Sequence, residues 1–157
     1  MSIETAKAYL ERFGLAERVR EFDVSSATVE LAALALGVEG ARIAKTLSFK
    51  DGERCFLIVA AGDARIDNHK FKERFHVKAK MPTPEEVAAM VGHPVGGVCP
   101  FGINEGVAVY LDESLRRFAT VFPAVGSANS AIELTPEELY RCSAAQDWVD
   151  VCRLPET

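Results

Sequence analysis

The sequence predicts a mixed α+β domain built around a curved, largely antiparallel sheet with flanking helices. Three observations lead there. Helical and strand-like hydrophobic periods are interleaved without a regular strand–helix–strand rhythm, so an all-parallel sheet is not expected. Asp51-Gly52 separates two strand-like runs, which is a strong hairpin signal. A chain of 157 residues makes one domain, 1–157, long enough to bury a core without metal or disulfide staples.

Taken in order, residues 2–13 place Ile3, Ala6, Tyr9, Leu10 and Phe13 on one side of a helix that Gly14 stops. Val19 to Phe22 alternates apolar and charged residues and reads as a short strand. Ser26 or Ala27 leads into a second helix, Thr28 to Leu36, ended by Gly37. Ile43 to Phe49 and Cys55 to Ala61 are the two arms of the hairpin. Asp67 to Phe75 reads as a helix capped by Asp67. Thr83-Pro84-Glu85-Glu86 opens another, with threonine at the cap, proline at the first helical position and acids in the first turn; it runs to about Val91 before Gly92. Val107 to Leu111 and Ala119 to Phe122 read as strands, and Ile132 to Leu134 as a short β segment. Thr135-Pro136-Glu137-Glu138 starts the last helix with the same signals as Thr83.

The composition excludes several classes. No run of about 18 apolar residues exists to span a membrane. The charged amphipathic N-terminus does not read as a secretory signal, so the expected location is the cytoplasm. Cys55, Cys99, Cys142 and Cys152 contain no C-x-x-C pair, and His69, His76 and His93 show no metal-ligand spacing. Neither a zinc site nor a cofactor is expected. The net charge of −5 argues against DNA or non-specific nucleic-acid binding. The charge is uneven, however. Between Arg65 and Lys80 six basic residues stand against Asp67 and Glu73, a local balance of +4. That run is either a solvated helix face or a phosphate-facing patch.

Two features point to chemistry. Pro94-Val-Gly-Gly-Val-Cys-Pro-Phe-Gly102 packs three glycines and two prolines where no regular element can run. It is either a plain tight connection or a rigid turn presenting backbone amides to an anion or carbonyl. Cys99 within it has apolar flanks and no identifiable base, which favours an inert thiol over a nucleophile. The second feature is Lys45. Strand alternation puts it on the same face as Ile43 and Leu47, where an ammonium must meet an anion, line a cleft or snorkel outward.

Ile43-Ala-Lys45-Thr-Leu47, the Gly-Gly97-Val-Cys-Pro100-Phe-Gly102 loop, and Phe118-Ala-Thr-Val-Phe122 leading to Ile132-Glu-Leu134 together resemble the YbaK/aminoacyl-tRNA deacylase family. This family contains free-standing relatives of the editing domain inserted in bacterial prolyl-tRNA synthetases. The resemblance covers roughly residues 20–142. It implies a barrel-like curved sheet and hydrolysis, in trans, of wrongly acylated tRNA. The implied partners are the aminoacylated 3′ end and acceptor stem, and a synthetase.

Residue by residue, Lys45 matches the lysine required in these enzymes, placed beside the terminal adenosine. Thr46 matches a pocket hydroxyl. Gly97 matches the glycine whose amide faces the aminoacyl carbonyl, with Pro100 and Gly102 shaping the loop. Water, or a group of the substrate, would attack the ester. The chain departs from cysteine-removing relatives at Val125–Ser130, where it lacks their basic pair and the following aspartate and has Ala131 instead. Gly126, Ser127, Asn129 and Ser130 are therefore expected to bound a pocket for a different small amino acid, on tRNA-Pro or a similar tRNA. Lys70, Lys72 and Lys78 are the expected tRNA contacts. The alternative is a non-catalytic module of the same fold that binds a tRNA end, an aminoacyl-adenylate-like ligand or a synthetase.

Overall fold

The computed structural model describes residues 2–155. Helix α1 (Ser2–Glu11) buries Ala6 and Leu10 against the core, and the Tyr9 hydroxyl donates to the Cys142 carbonyl at 2.5 Å. The short strand β1 (Arg20–Glu21) follows. Helix α2 (Val29–Leu36) starts at Thr28, whose hydroxyl accepts from the Leu31 amide at 3.1 Å, and ends on left-handed Gly37. A two-residue hairpin then joins β2 (Ile43–Asp51) to β3 (Arg54–Ala61) across eight antiparallel register pairs, with Gly52 at φ 63° in the turn.

Strand β4 (Arg65–Ile66) precedes α3 (Asn68–Phe75), which Asp67 caps by accepting from the amides of His69 and Lys70. Helix α4 (Pro84–Val91) begins with a full capping box between Thr83 and Glu86. After the glycine loop come β5 (Ala108–Asp112), β6 (Phe122–Pro123) and β7 (Ser130–Ala131). Helix α5 (Pro136–Cys142) repeats the capping box with Thr135 and Glu138; β8 (Asp147–Val149) and β9 (Cys152–Arg153) close the chain.

The main sheet is five-stranded, in the order β6-β2-β3-β5-β8. Its longest ladder, β2 with β3, is antiparallel, as are the small β1–β7 and β4–β9 pairs. The expected antiparallel character belongs to these; the additions of β6, β5 and β8 to the main sheet are parallel. Strand β3 lies at the centre, and seven of its eight residues are buried. That explains why Cys55–Ala61 reads as one apolar run with no polar face. Beside it Phe49, Phe56, Phe71 and Phe75 make a ring cluster with centroid separations of 4.9–6.0 Å, which locks α3 onto the sheet.

Near the ends the sequence reading was displaced. The strand expected at Ala119–Phe122 is confined to Phe122–Pro123. Residues 132–134 form no strand; they meet the neighbouring segment through the Val121–Leu134 bridge and through the Ile132 amide, which donates to the Pro123 carbonyl at 3.0 Å.

Candidate active site

A cavity of about 400 Å³ opens along one edge of β2. It exists because β6 pairs with β2 only at Ile43 and Ala44 and then leaves the sheet. The hairpin register says what is left exposed. In an antiparallel ladder alternate residues bond to the partner strand and the others face outward. The Lys50 amide faces outward, donating to the Lys80 carbonyl at 2.7 Å. The same alternation turns the backbone groups of Ser48 and Thr46 to that edge, where no strand stands beside them. The remaining walls come from the start of α2, residues 81–87 and the glycine loop, with Phe122, Ala124 and Ser130 from the far side. The lining is mostly aliphatic.

Lys45 and Thr46 both line this cavity. The Lys45 ammonium donates to the carbonyl of Ala64 at 2.5 Å and of Gly62 at 3.3 Å. Burial pulls its pKa below the ordinary lysine value, while Cys152, Asp63 and Glu30 act in the opposite sense. The Thr46 hydroxyl is buried with no hydrogen-bond partner. So is that of Ser26, a second wall residue, 8 % exposed. A buried hydroxyl without a partner costs about 1–3 kcal/mol. Two on one cavity wall are the polar groups a ligand can satisfy. Sequence reasoning read Ser26 only as a helix lead-in, because its burial depends on a distant contact: its amide donates to the Ala128 carbonyl at 2.6 Å.

The glycine loop reaches the cavity through Val95, Gly96 and Val98. Gly96 holds φ +96° there, a conformation that favours glycine. Gly97 lies just behind. Its amide donates to the Pro94 carbonyl at 3.0 Å, and a Cβ on it would stand 2.7 Å from the Ser127 backbone. Gly97 is therefore the point where the loop packs on the 125–130 turn. Pro100 is buried beneath the loop, and Gly102 faces α1, where a Cβ would come within 2.8 Å of the Thr5 carbonyl oxygen. Neither lines the cavity. Cys99 is fully buried, and burial pushes its thiol up to about 12, which makes it inert as a nucleophile.

Of the 125–130 turn, Ser130 lines the cavity, as do the adjacent Ala124 and Ala131. Gly126 holds φ 79° in the turn. The Ser127 hydroxyl donates to Asn129 Oδ1 at 2.9 Å and lies 2.8 Å from the Ser130 hydroxyl, which accepts from the Val125 amide. Asn129 Nδ2 donates to the Phe22 carbonyl at 2.9 Å. These polar groups clamp the turn and hold residues 22–26 beside the cavity.

The basic run divides in two. Lys70 does not line the cavity; it lies in a separate depression with Asp150 and Arg153, and donates to Asp150 and to the Cys152 carbonyl. Arg74 pairs with Asp147. Lys72, Lys78 and Lys80 are exposed and enter no ion pair among the described residues. Lys80 directly precedes Met81 and Pro82, which line the cavity. It ends the basic run that the sequence singles out, and of that run it stands nearest in the chain to the cavity wall. No group of three His, Cys, Asp or Glu among the described residues is placed to hold a metal.

The family model for the aminoacyl-tRNA editing domain matches residues 23–142. The chain is 53 % identical over 154 residues to the uncharacterised protein YwhH of Bacillus subtilis, covering 98 % of both. It is 31 % identical over 103 residues to the proline–tRNA ligase of the same organism, a match of 65 % of this chain and 18 % of the ligase. A solved structure described as a proposed trans-editing enzyme for prolyl-tRNA synthetase superposes with a TM-score of 0.87 at 32 % identity, covering 97 % of each chain.

Proposed function

This chain belongs to the family of aminoacyl-tRNA editing domains, and we propose that it is a free-standing hydrolase that removes a small amino acid from mischarged tRNA, tRNA-Pro or one like it, in the cytoplasm. One observation carries the reading: Lys45, an ammonium held only by neutral carbonyls, and the Gly96 turn border one cavity of about 400 Å³. That volume is of the size that encloses a small ligand rather than a side chain alone, so the aminoacyl group and part of the terminal nucleoside fit together.

The chemistry is ester hydrolysis. Water adds to the aminoacyl carbonyl carbon, the bond to the ribose oxygen breaks, and the free amino acid and the tRNA hydroxyl result. Lys45 is placed to stabilise negative charge that develops on the ester or the adjoining phosphate, in a partly desolvated site where such a contact is strong. The open edge of β2 at Thr46 and Ser48 and the turn at Gly96 supply backbone groups to hold the substrate. No side-chain nucleophile is required.

A binding module of the same fold is favoured by one detail, the Gly97 amide already donated to Pro94. Turnover separates the two readings. A panel of mischarged tRNAs, with correctly charged tRNAs as controls, should yield selective deacylation of one or two small-residue esters. Saturable binding without hydrolysis of any ester would leave only the module.

A further inference from the structure

Among the described residues Lys45 pairs with no carboxylate, yet one is close by. The two carbonyls that hold its ammonium belong to Gly62 and Ala64, and the residue between them is Asp63. That acid is committed elsewhere. Arg117 Nη1 and Nη2 donate to Asp63 Oδ2 and Oδ1 at 3.1 and 2.5 Å, one nitrogen to each oxygen. Arg117 is in turn fixed: its Nε donates to the Ser114 carbonyl at 2.9 Å, and its guanidinium lies 4.8 Å from the centre of the Phe118 ring. Ser114 is buried, and its hydroxyl accepts from the Ala61 amide at 3.1 Å, immediately before the Gly62–Ala64 segment. The fork and the carbonyls that seat Lys45 thus share one anchor.

We propose, resting on the deacylase reading above, that Arg117 is a positioning residue: it sequesters the Asp63 carboxylate and so leaves the Lys45 ammonium without a counter-ion, available to negative charge on the substrate. An ammonium has three protons to donate. Two go to neutral carbonyls and keep the charge unmasked, whereas a carboxylate would neutralise it and occupy the third. A guanidinium fork engaging both carboxylate oxygens is the geometry best suited to holding Asp63 away. Arg117 also holds the Asp63 carboxyl below the usual carboxylate range. The charged and titratable groups near enough to act on Lys45 include Cys152, Asp63, Arg65 and Glu30; of these, Asp63 alone sits on the Gly62–Ala64 segment that seats the ammonium.

The test is a double-mutant cycle with two readouts. Arg117→Gln should lower kcat/KM for mischarged tRNA by about tenfold or more, as Asp63 turns to Lys45 and removes part of a transition-state contact. Asp63→Asn alone should stay within about threefold of wild type, since the ion pair it breaks is partly exposed and its loss gives Lys45 no new carboxylate partner. The double variant should recover the activity that Arg117→Gln loses. If Arg117 only held the fold or touched tRNA phosphate, removing a carboxylate would not rescue it, and absence of rescue overturns the proposal. The second readout needs no turnover: the Lys45 ammonium followed by lysine-selective NMR. Its titration midpoint should rise in Arg117→Gln, because a nearby carboxylate favours the charged form, and fall back in the double variant. A midpoint that does not move overturns the sequestration. The predicted movement in a protein that hydrolyses no aminoacyl-tRNA supports the charge relationship and removes the deacylase reading instead.

Discussion

A Cβ atom placed on Gly62 would stand 2.0 Å from the carbonyl oxygen of Gly40 and 2.8 Å from Val29 Cγ1. The end of β3 therefore touches backbone beneath α2, and the same residue offers its carbonyl to Lys45. Gly62→Ala must push these segments apart. Overpacking of this kind costs about 1–3 kcal/mol. The expected outcome is a lower thermal midpoint together with a loss of deacylation greater than the lost stability explains, checked by calorimetry and single-turnover assay on the same preparation.

Gly97 sets a second close approach, against the backbone of Ser127. Gly97→Ala should separate the glycine loop from the 125–130 turn and enlarge the cavity on that side. We expect KM to rise more than kcat falls, since substrate positioning is loosened while Lys45 is untouched. Steady-state kinetics on the preferred mischarged tRNA decides it.

Ser26→Ala should leave the fold at least as stable as before, because the hydroxyl it removes is buried and unpartnered. Its effect should appear in selectivity. A hydroxyl on the cavity wall favours an amino acid that hydrogen-bonds it, so the ratio of rates on Ser- and Ala-charged tRNA should fall by several-fold, about 1 kcal/mol of discrimination. An unchanged ratio would move the selective contact to Thr46 or Ser130.

Contacts to tRNA should follow pairing state. Lys70 is engaged by Asp150 and the Cys152 carbonyl, so Lys70→Ala should change tRNA affinity little. Lys78→Ala and Lys80→Ala should weaken it and reduce the log–log salt slope by about 0.7–0.9 per lost phosphate contact. Filter binding across a salt series measures both.

His93 gives a pH signature. It is wholly buried; Nε2 lies 2.7 Å from the Phe101 carbonyl and Nδ1 has no partner. Burial depresses its pKa below 6.5, against the raising effect of the Phe101 bond. The unfolded chain then binds a proton that the folded one refuses, so stability should be full above about pH 6.5 and decline as pH falls below it. Chemical denaturation between pH 8 and 5 should show that decline in wild type and a flatter profile in His93→Gln.

Much of this architecture was legible in the sequence because it is decided locally. Thr83 and Thr135 cap helices α4 and α5 through side chains three residues away, and Gly37 and Gly92 end α2 and α4 by adopting left-handed backbone. Asp51-Gly52 set the hairpin, and its first strand carries Lys45 along the cavity. What was illegible depends on distant partners. Strands β4, β8 and β9 are two or three residues long and exist only through their neighbours. Lys45 and Thr46, which the strand pattern and motif single out, both line the cavity, but the pairing of Asp63 with Arg117 spans 54 residues, and Lys70 meets Asp150 across 80. No local pattern reports such pairs. The loop reading placed the ligand-facing glycine at Gly97, whereas Gly96 lines the cavity; adjacent glycines give no sequence signal to tell them apart.

The most direct test is single-turnover hydrolysis of a mischarged tRNA by wild type and Lys45→Ala, with folding checked by circular dichroism and binding by filter retention. The expected result is a rate lower by about 10²–10³ in a variant that remains folded and still binds tRNA. A folded Lys45→Ala protein that deacylates at the wild-type rate would contradict the account.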